Sequence, residues 1–154
     1  MVMKKTLLGL GFLSIVIFGG SAARASEVPK EAMACLEKGT TTQEISAKYK
    51  DSQSVYYVVT FTSGEIGGQN LIVVTGSKCK QLGGDNSVFP LSQWGTPRKV
   101  VKGLMFDWAK RDIASHGGLA VCQKYADRYP DQFTSLDSEQ IEGYRAAGLK
   151  IPSK

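Results

Sequence analysis

One histidine, His116, and three cysteines, Cys35, Cys79 and Cys122, are all that 154 residues offer in thiol and imidazole chemistry. No Cys-x-x-Cys, His-x-x-x-His or EF-hand spacing occurs, so zinc and calcium sites find no ligand set, and neither a metal nor a cofactor is expected. Cys–His nucleophilic catalysis fails on the same shortage. Gly64-Glu65-Ile66-Gly67-Gly68 lacks the Gly-Lys-Ser/Thr ending of a phosphate-cradling loop and joins two β-type runs instead of opening a helix. Ser77-Lys78-Cys79-Lys80 has a bare Ser-x-x-Lys spacing, but it falls on a hairpin, without the partner motifs that penicillin-recognising enzymes carry. Nothing repeats, and no stretch is biased enough to link two domains.

Long apolar runs are also missing. The one candidate, Leu7 to Phe18, is interrupted by Gly9 and Gly11 and falls short of the roughly 20 residues a spanning helix needs. Lys4-Lys5 precedes it, and Gly19-Gly20-Ser21-Ala22-Ala23-Arg24-Ala25 follows it. This charged, apolar, small-residue order predicts a secretory signal over residues 1–25, cut after Ala25, and one domain over residues 26–154. The expected address is the periplasm or the extracellular space, with no membrane association after cleavage. Lys4, Lys5 and Arg24 leave with the leader, which takes the net charge from +5 to +2. So nearly balanced a domain is a poor fit to phosphate-backbone binding, and nucleic acid is not an expected partner.

The pattern along residues 26–154 predicts an α+β domain. Pro29 suits the first position of a short helix carrying Ala32, Met33, Cys35 and Leu36 on one arc. The Thr41 to Glu44 spacing of a capping box predicts a second short helix over Gln43–Tyr49. Val55–Thr62, Leu71–Thr75 and Lys78–Leu82 read as strands of a three-stranded antiparallel meander, its second turn at Gly76-Ser77. Lys78 and Lys80 then face solvent, which turns Cys79 inward. Three C-terminal helices follow: from Thr96-Pro97 to about Ser115, over 118–128, and over 138–147 behind an Asp137 cap. All helices are expected on one face of the sheet.

A short Cys-bearing helix, an aromatic hairpin, an inward Cys79 and the closing Glu142-Gly-Tyr-Arg-Ala-Ala-Gly-Leu-Lys-Ile-Pro152 resemble small exported proteins of cyanobacterial type whose function is unassigned. The resemblance implies export. It brings no catalytic or binding residue with it.

Among single residues, the cysteines come first. In an oxidising space pairs close, and three cysteines allow three single bridges. Cys122 lies amid the apolar arc of Leu119, Val121, Tyr125, Ala126 and Tyr129, where a buried thiol is expected. That leaves Cys35–Cys79 as the favoured bridge, with a reactive Cys122 thiol as the functional alternative. His116 reads as a helix-end residue beside the last carbonyls. Asp112 breaks its own pattern: at about 100° per residue it falls inside the stripe of Val101, Leu104, Met105 and Trp108. Either a nearby Arg or Lys pairs with it, or the helix frays there, or it is a partly buried acid lining a cleft. Tyr56, Val58 and Thr60 are the more polar alternate set on their strand and are expected outward; core filling is the expected role for most of the aromatics Tyr56, Tyr57, Phe61 and Trp94, with a binding face that includes Tyr56 and Trp94 as the functional alternative. The function expected is a non-enzymatic binding module for an unknown protein or small ligand, through that face or the Gly64–Gly68 loop. The alternatives are a hydrolase using carboxylates such as Asp112 with Asp127 or Asp131, and an inhibitor or accessory subunit of an extracellular enzyme.

Overall fold

A computed structural model describes residues 28–36, 42–63 and 65–153. The expected leader, residues 1–25, lies outside the described residues. The elements in chain order are α1 (Lys30–Met33), β1 (Thr42–Lys50), β2 (Ser54–Ser63), β3 (Ile66–Thr75), β4 (Lys78–Asp85), a 3-10 turn (Leu91–Trp94), α2 (Arg98–Ser115), α3 (Leu119–Arg128), α4 (Asp131–Thr134) and α5 (Ser138–Ala146). The four strands form one antiparallel meander in the order β1-β2-β3-β4.

The sheet has four strands, not three, because the segment read as a helix over Gln43–Tyr49 is β1. Ile45, Ala47 and Tyr49 alternate with Glu44, Ser46, Lys48 and Lys50, and β2 offers a strongly β-forming partner for that alternation. Tertiary pairing overrides the local capping-box signal. A register shift between Ile45 and Ala47 sends these two side chains to opposite faces. The turn between β2 and β3 is also tighter than the glycines suggest. Ser63 pairs with Ile66, and Gly67 and Gly68 sit in β3 opposite Thr62 and Phe61. The expected Gly64–Gly68 loop is therefore mostly strand, and Gly64 itself lies outside the described residues.

Helices cover both faces of the sheet. On one face Ala47, Val58 and Leu71 pack with Val88, Leu91, Val100, Val101, Leu104 and Met105 beneath α2. On the other, Ile45, Tyr57, Val59, Ile72 and Val74 pack beneath Ala32 of α1. The expectation of helices on one face only fails because β2 is apolar on both sides: Val58 and Val59 are each fully buried. Likewise Tyr56 and Val58 face the α2 layer, not solvent as expected.

Glycines set how closely α2 approaches its neighbours. A Cβ on Gly103 would fall 2.1 Å from the Tyr49 ring of β1, and one on Gly143 of α5 would fall 2.7 Å from the Met105 carbonyl oxygen. A third core gathers Ala109, Ile113, Ala126, Phe133, Tyr144, Leu149 and Ile151 among α2, α3, α4, α5 and the C-terminal segment. The helix ends are where glycine and Asp137 predict them. Gly117 (φ +104°) and Gly148 (φ +112°) close α2 and α5 with paired turn bonds, Gly118 N–H to the Ile113 carbonyl (2.9 Å) and Leu149 N–H to the Tyr144 carbonyl (2.9 Å). Asp137 accepts from the N–H groups of Glu139 and Gln140 at the start of α5. Glu139 in turn accepts from Leu91 N–H at 2.5 Å, which fixes the 3-10 turn against α5.

Candidate functional site

Asp112, on the last turn of α2, is the centre of the polar cluster that this fold assembles. The Tyr144 hydroxyl of α5 donates to its Oδ2 at 2.6 Å, and His116 Nδ1 lies 3.4 Å from its Oδ1. About a fifth of the carboxylate side chain reaches solvent. Its partners are thus a tyrosine and the one histidine, in place of the Arg or Lys that the sequence suggests. Helix periodicity places Asp112 correctly inside the inner stripe, and the helix runs on past it without fraying. Burial raises its pKa above the usual carboxylate value, while the nearby imidazole and the Tyr144 hydroxyl pull the other way.

Tyr144 is buried within a run of rings. Its ring centre lies 5.0 Å from that of Trp108 and 5.3 Å from that of Phe133, and Phe89 extends the run beyond Trp108 at 5.3 Å. Burial first, and then Asp112, pushes its hydroxyl well above the ordinary tyrosine pKa, so Tyr144 holds its proton.

His116 caps α2, as its position at the helix end suggests. Its Nδ1 lies 2.8 Å from the Asp112 carbonyl oxygen, and a carbonyl only accepts, so Nδ1 carries a proton and donates it there. Cys122 is a free thiol on α3, half-buried, donating to the Ile113 carbonyl at 3.7 Å. That same oxygen accepts the closing bond of α2 from Gly118. Burial, helped by the negative charge of Asp112, pushes the thiol up to about 12. Asp112, His116, Tyr144 and Cys122 thus share one corner, where the end of α2 meets α3 and α5.

The remaining candidates lie elsewhere. Asp127 accepts from Gln123 Nε2 at 3.0 Å on the exposed side of α3, and Asp131 opens the short α4. Tyr56 packs against the core beneath α2. Trp94 ends the 3-10 turn, with its ring over Gly83 and its Nε1 donating to the Val88 carbonyl at 2.9 Å. Ser77 and Lys80 are exposed on the β3–β4 hairpin. Among the described residues, no group of three or more His, Cys, Asp or Glu side chains is placed to hold a metal ion.

Cys35 and Cys79 form a disulfide, with Cα atoms 5.7 Å apart. Cys79 points inward from β4 as the two-residue period requires, and Cys35 reaches it from the end of α1. No helix among the described residues is long and apolar enough to cross a membrane. No family model, curated protein or solved structure matches the chain.

Tyr144 does not stand out in the sequence as a site residue. The one usable signal is its place after Gly143, whose missing side chain lets α5 approach α2 closely enough for the hydroxyl to reach Asp112.

Proposed function

We propose that this chain is an exported, non-enzymatic binding module; its resemblance to small exported proteins supports the export alone. The observation that carries the reading is the closure of the Asp112 corner on itself. Its carboxylate accepts from Tyr144 and faces His116, Tyr144 keeps its proton, and the adjacent thiol at about 12 holds almost no thiolate near neutral pH. A nucleophile–base pair needs a group ready to attack and a base to activate it. Here the polar groups serve one another, and they join three helices. The Cys35–Cys79 bridge supports the exported address, because such bonds persist in oxidising compartments. The carboxylate-hydrolase alternative has less support, since Asp127 and Asp131 have surroundings of their own.

The test is to express the full chain in an exporting bacterial host and fractionate the cells. The expected product starts at Ser26, appears outside the cytoplasm with one disulfide, and co-purifies with a stoichiometric partner or ligand. A cytoplasmic product that starts at Met1 with three free thiols overturns the address. Turnover of ester or peptide substrates that Asp112→Asn abolishes overturns the non-enzymatic reading.

A further inference from the structure

The outward face of α2 carries a pattern that the fold does not use. Lys99, Phe106 and Lys110 lie within about 20° of one line along the helix, and Lys102 flanks them. All four are exposed. Phe106 is 40% exposed, and the Lys110 ammonium lies 5.0 Å from its ring centre. The stripe is about 16 Å long at 1.5 Å per residue. Among the described residues, only Lys99 of this stripe has an acidic partner, Asp51 at 3.3 Å, and two-thirds of the Lys99 side chain is in water. The neighbouring arginines are engaged differently: Arg111 with Asp107 at 2.8 Å and Arg98 with Glu142 at 3.7 Å. On β1, which packs against α2, Lys48 and Lys50 are exposed as well.

We infer that this face of α2 docks the protein on an anionic lipid surface. The partner is named from charge and side-chain type. Arginine forks suit fixed carboxylates, whereas lysines act as mobile point charges that follow laterally mobile phosphate headgroups. A convex helix face gives an acidic peptide no groove to lie in. An aromatic ring between lysines matches an interface where apolar side chains enter at headgroup depth while ammonium groups stay among the phosphates. The inference rests on the binding-module reading and gives it a partner. It departs from the expectation that the chain leaves the membrane behind once its leader is cut.

The experiment is co-sedimentation of the full chain, purified as the host releases it, with vesicles of phosphatidylcholine alone or with one-quarter phosphatidylglycerol. The expected result is binding to the anionic vesicles that weakens as salt rises from roughly 50 to 300 mM. Each lysine near such a surface is worth about fivefold in affinity, so Lys102→Glu with Lys110→Glu should lower binding by well over about twentyfold. Phe106→Ser should lower it by about tenfold while leaving the salt dependence in place. Lys78→Glu with Lys80→Glu on the β3–β4 hairpin makes the same charge change elsewhere and should cost far less; circular dichroism checks that each variant is folded. Equal binding to both vesicle types, equal loss from the hairpin variant, or binding of an acidic peptide without binding of vesicles would each overturn the proposal. A partner captured from the exported fraction is scored separately, so a failure at the lipid surface is distinguishable from a failure of the binding-module reading.

Discussion

Asp112 illustrates what a charged residue does when helix geometry leaves it on the inner side. Taking the carboxylate out of water disfavours its ionised form, and the Tyr144 hydroxyl and His116 restore part of what is lost. The folded chain therefore holds the Asp112 proton more tightly than the unfolded chain does. This contribution to stability is fully present below the ordinary carboxylate pKa near 4 and is lost as pH rises through the raised value. In the Asp112→Asn variant the side-chain amide oxygen still accepts from Tyr144, but the group does not titrate. Urea denaturation across pH 3–8 should show the stability of the native chain falling relative to Asp112→Asn as pH increases, then levelling. A difference that stays constant across that range would mean that the carboxylate is not buried as described.

At the scale of elements, the packing of α5 on α2 depends on the missing side chain of Gly143. Alanine there gains about 1 kcal/mol in helix propensity, but its Cβ would stand 2.7 Å from the Met105 carbonyl oxygen, which belongs to rigid helix backbone. Overpacking of this kind costs about 1–3 kcal/mol. Gly143→Ala should therefore lower stability by about 1 kcal/mol, and by no more than about 2 kcal/mol, in urea and weaken the Tyr144–Asp112 bond; increased stability with that bond intact would show that the helices can separate freely. The same scale shows which elements the sequence makes legible. The ends of α2 and α5 are readable because glycine in the left-handed region and an Asp cap are local necessities. The β3–β4 hairpin is readable for the same reason, with Gly76 at φ +65° in a two-residue turn. β1 is not, because a local helix-start signal competes with alternation that gains its worth only from pairing with β2. The site is half legible. Periodicity puts Asp112 on the inner side, but its partners come from residues 4 and 32 positions away, and only the folded chain brings Tyr144 to it.

For the molecule as a whole, α1 is a single turn, too short to persist alone in water. It stays on the sheet through Ala32, Val28 and Leu36, and through the bond to Cys79. That bond closes a loop with a sequence separation of 44, which the chain-entropy account values at about 3–4 kcal/mol. Cys35→Ala with Cys79→Ala should lower stability by about that amount and speed hydrogen exchange at Tyr57, Val59 and Ile72 beneath α1. An unchanged urea midpoint with slow exchange would mean that side-chain contacts alone hold the segment.

An open meander has two outermost strands, and each is a template on which another chain could grow. Along β1 the register shift at Ser46 kinks the strand, and Asp107 reaches across from α2 to accept from the Lys48 N–H at 2.8 Å. A main-chain donor that would recruit a foreign strand is thereby occupied within the molecule. Along β4, Lys78 and Lys80 set positive charges beside any copy approaching in register. Fibril growth is discouraged at both flanks, by an occupied donor at one and by charge repulsion at the other.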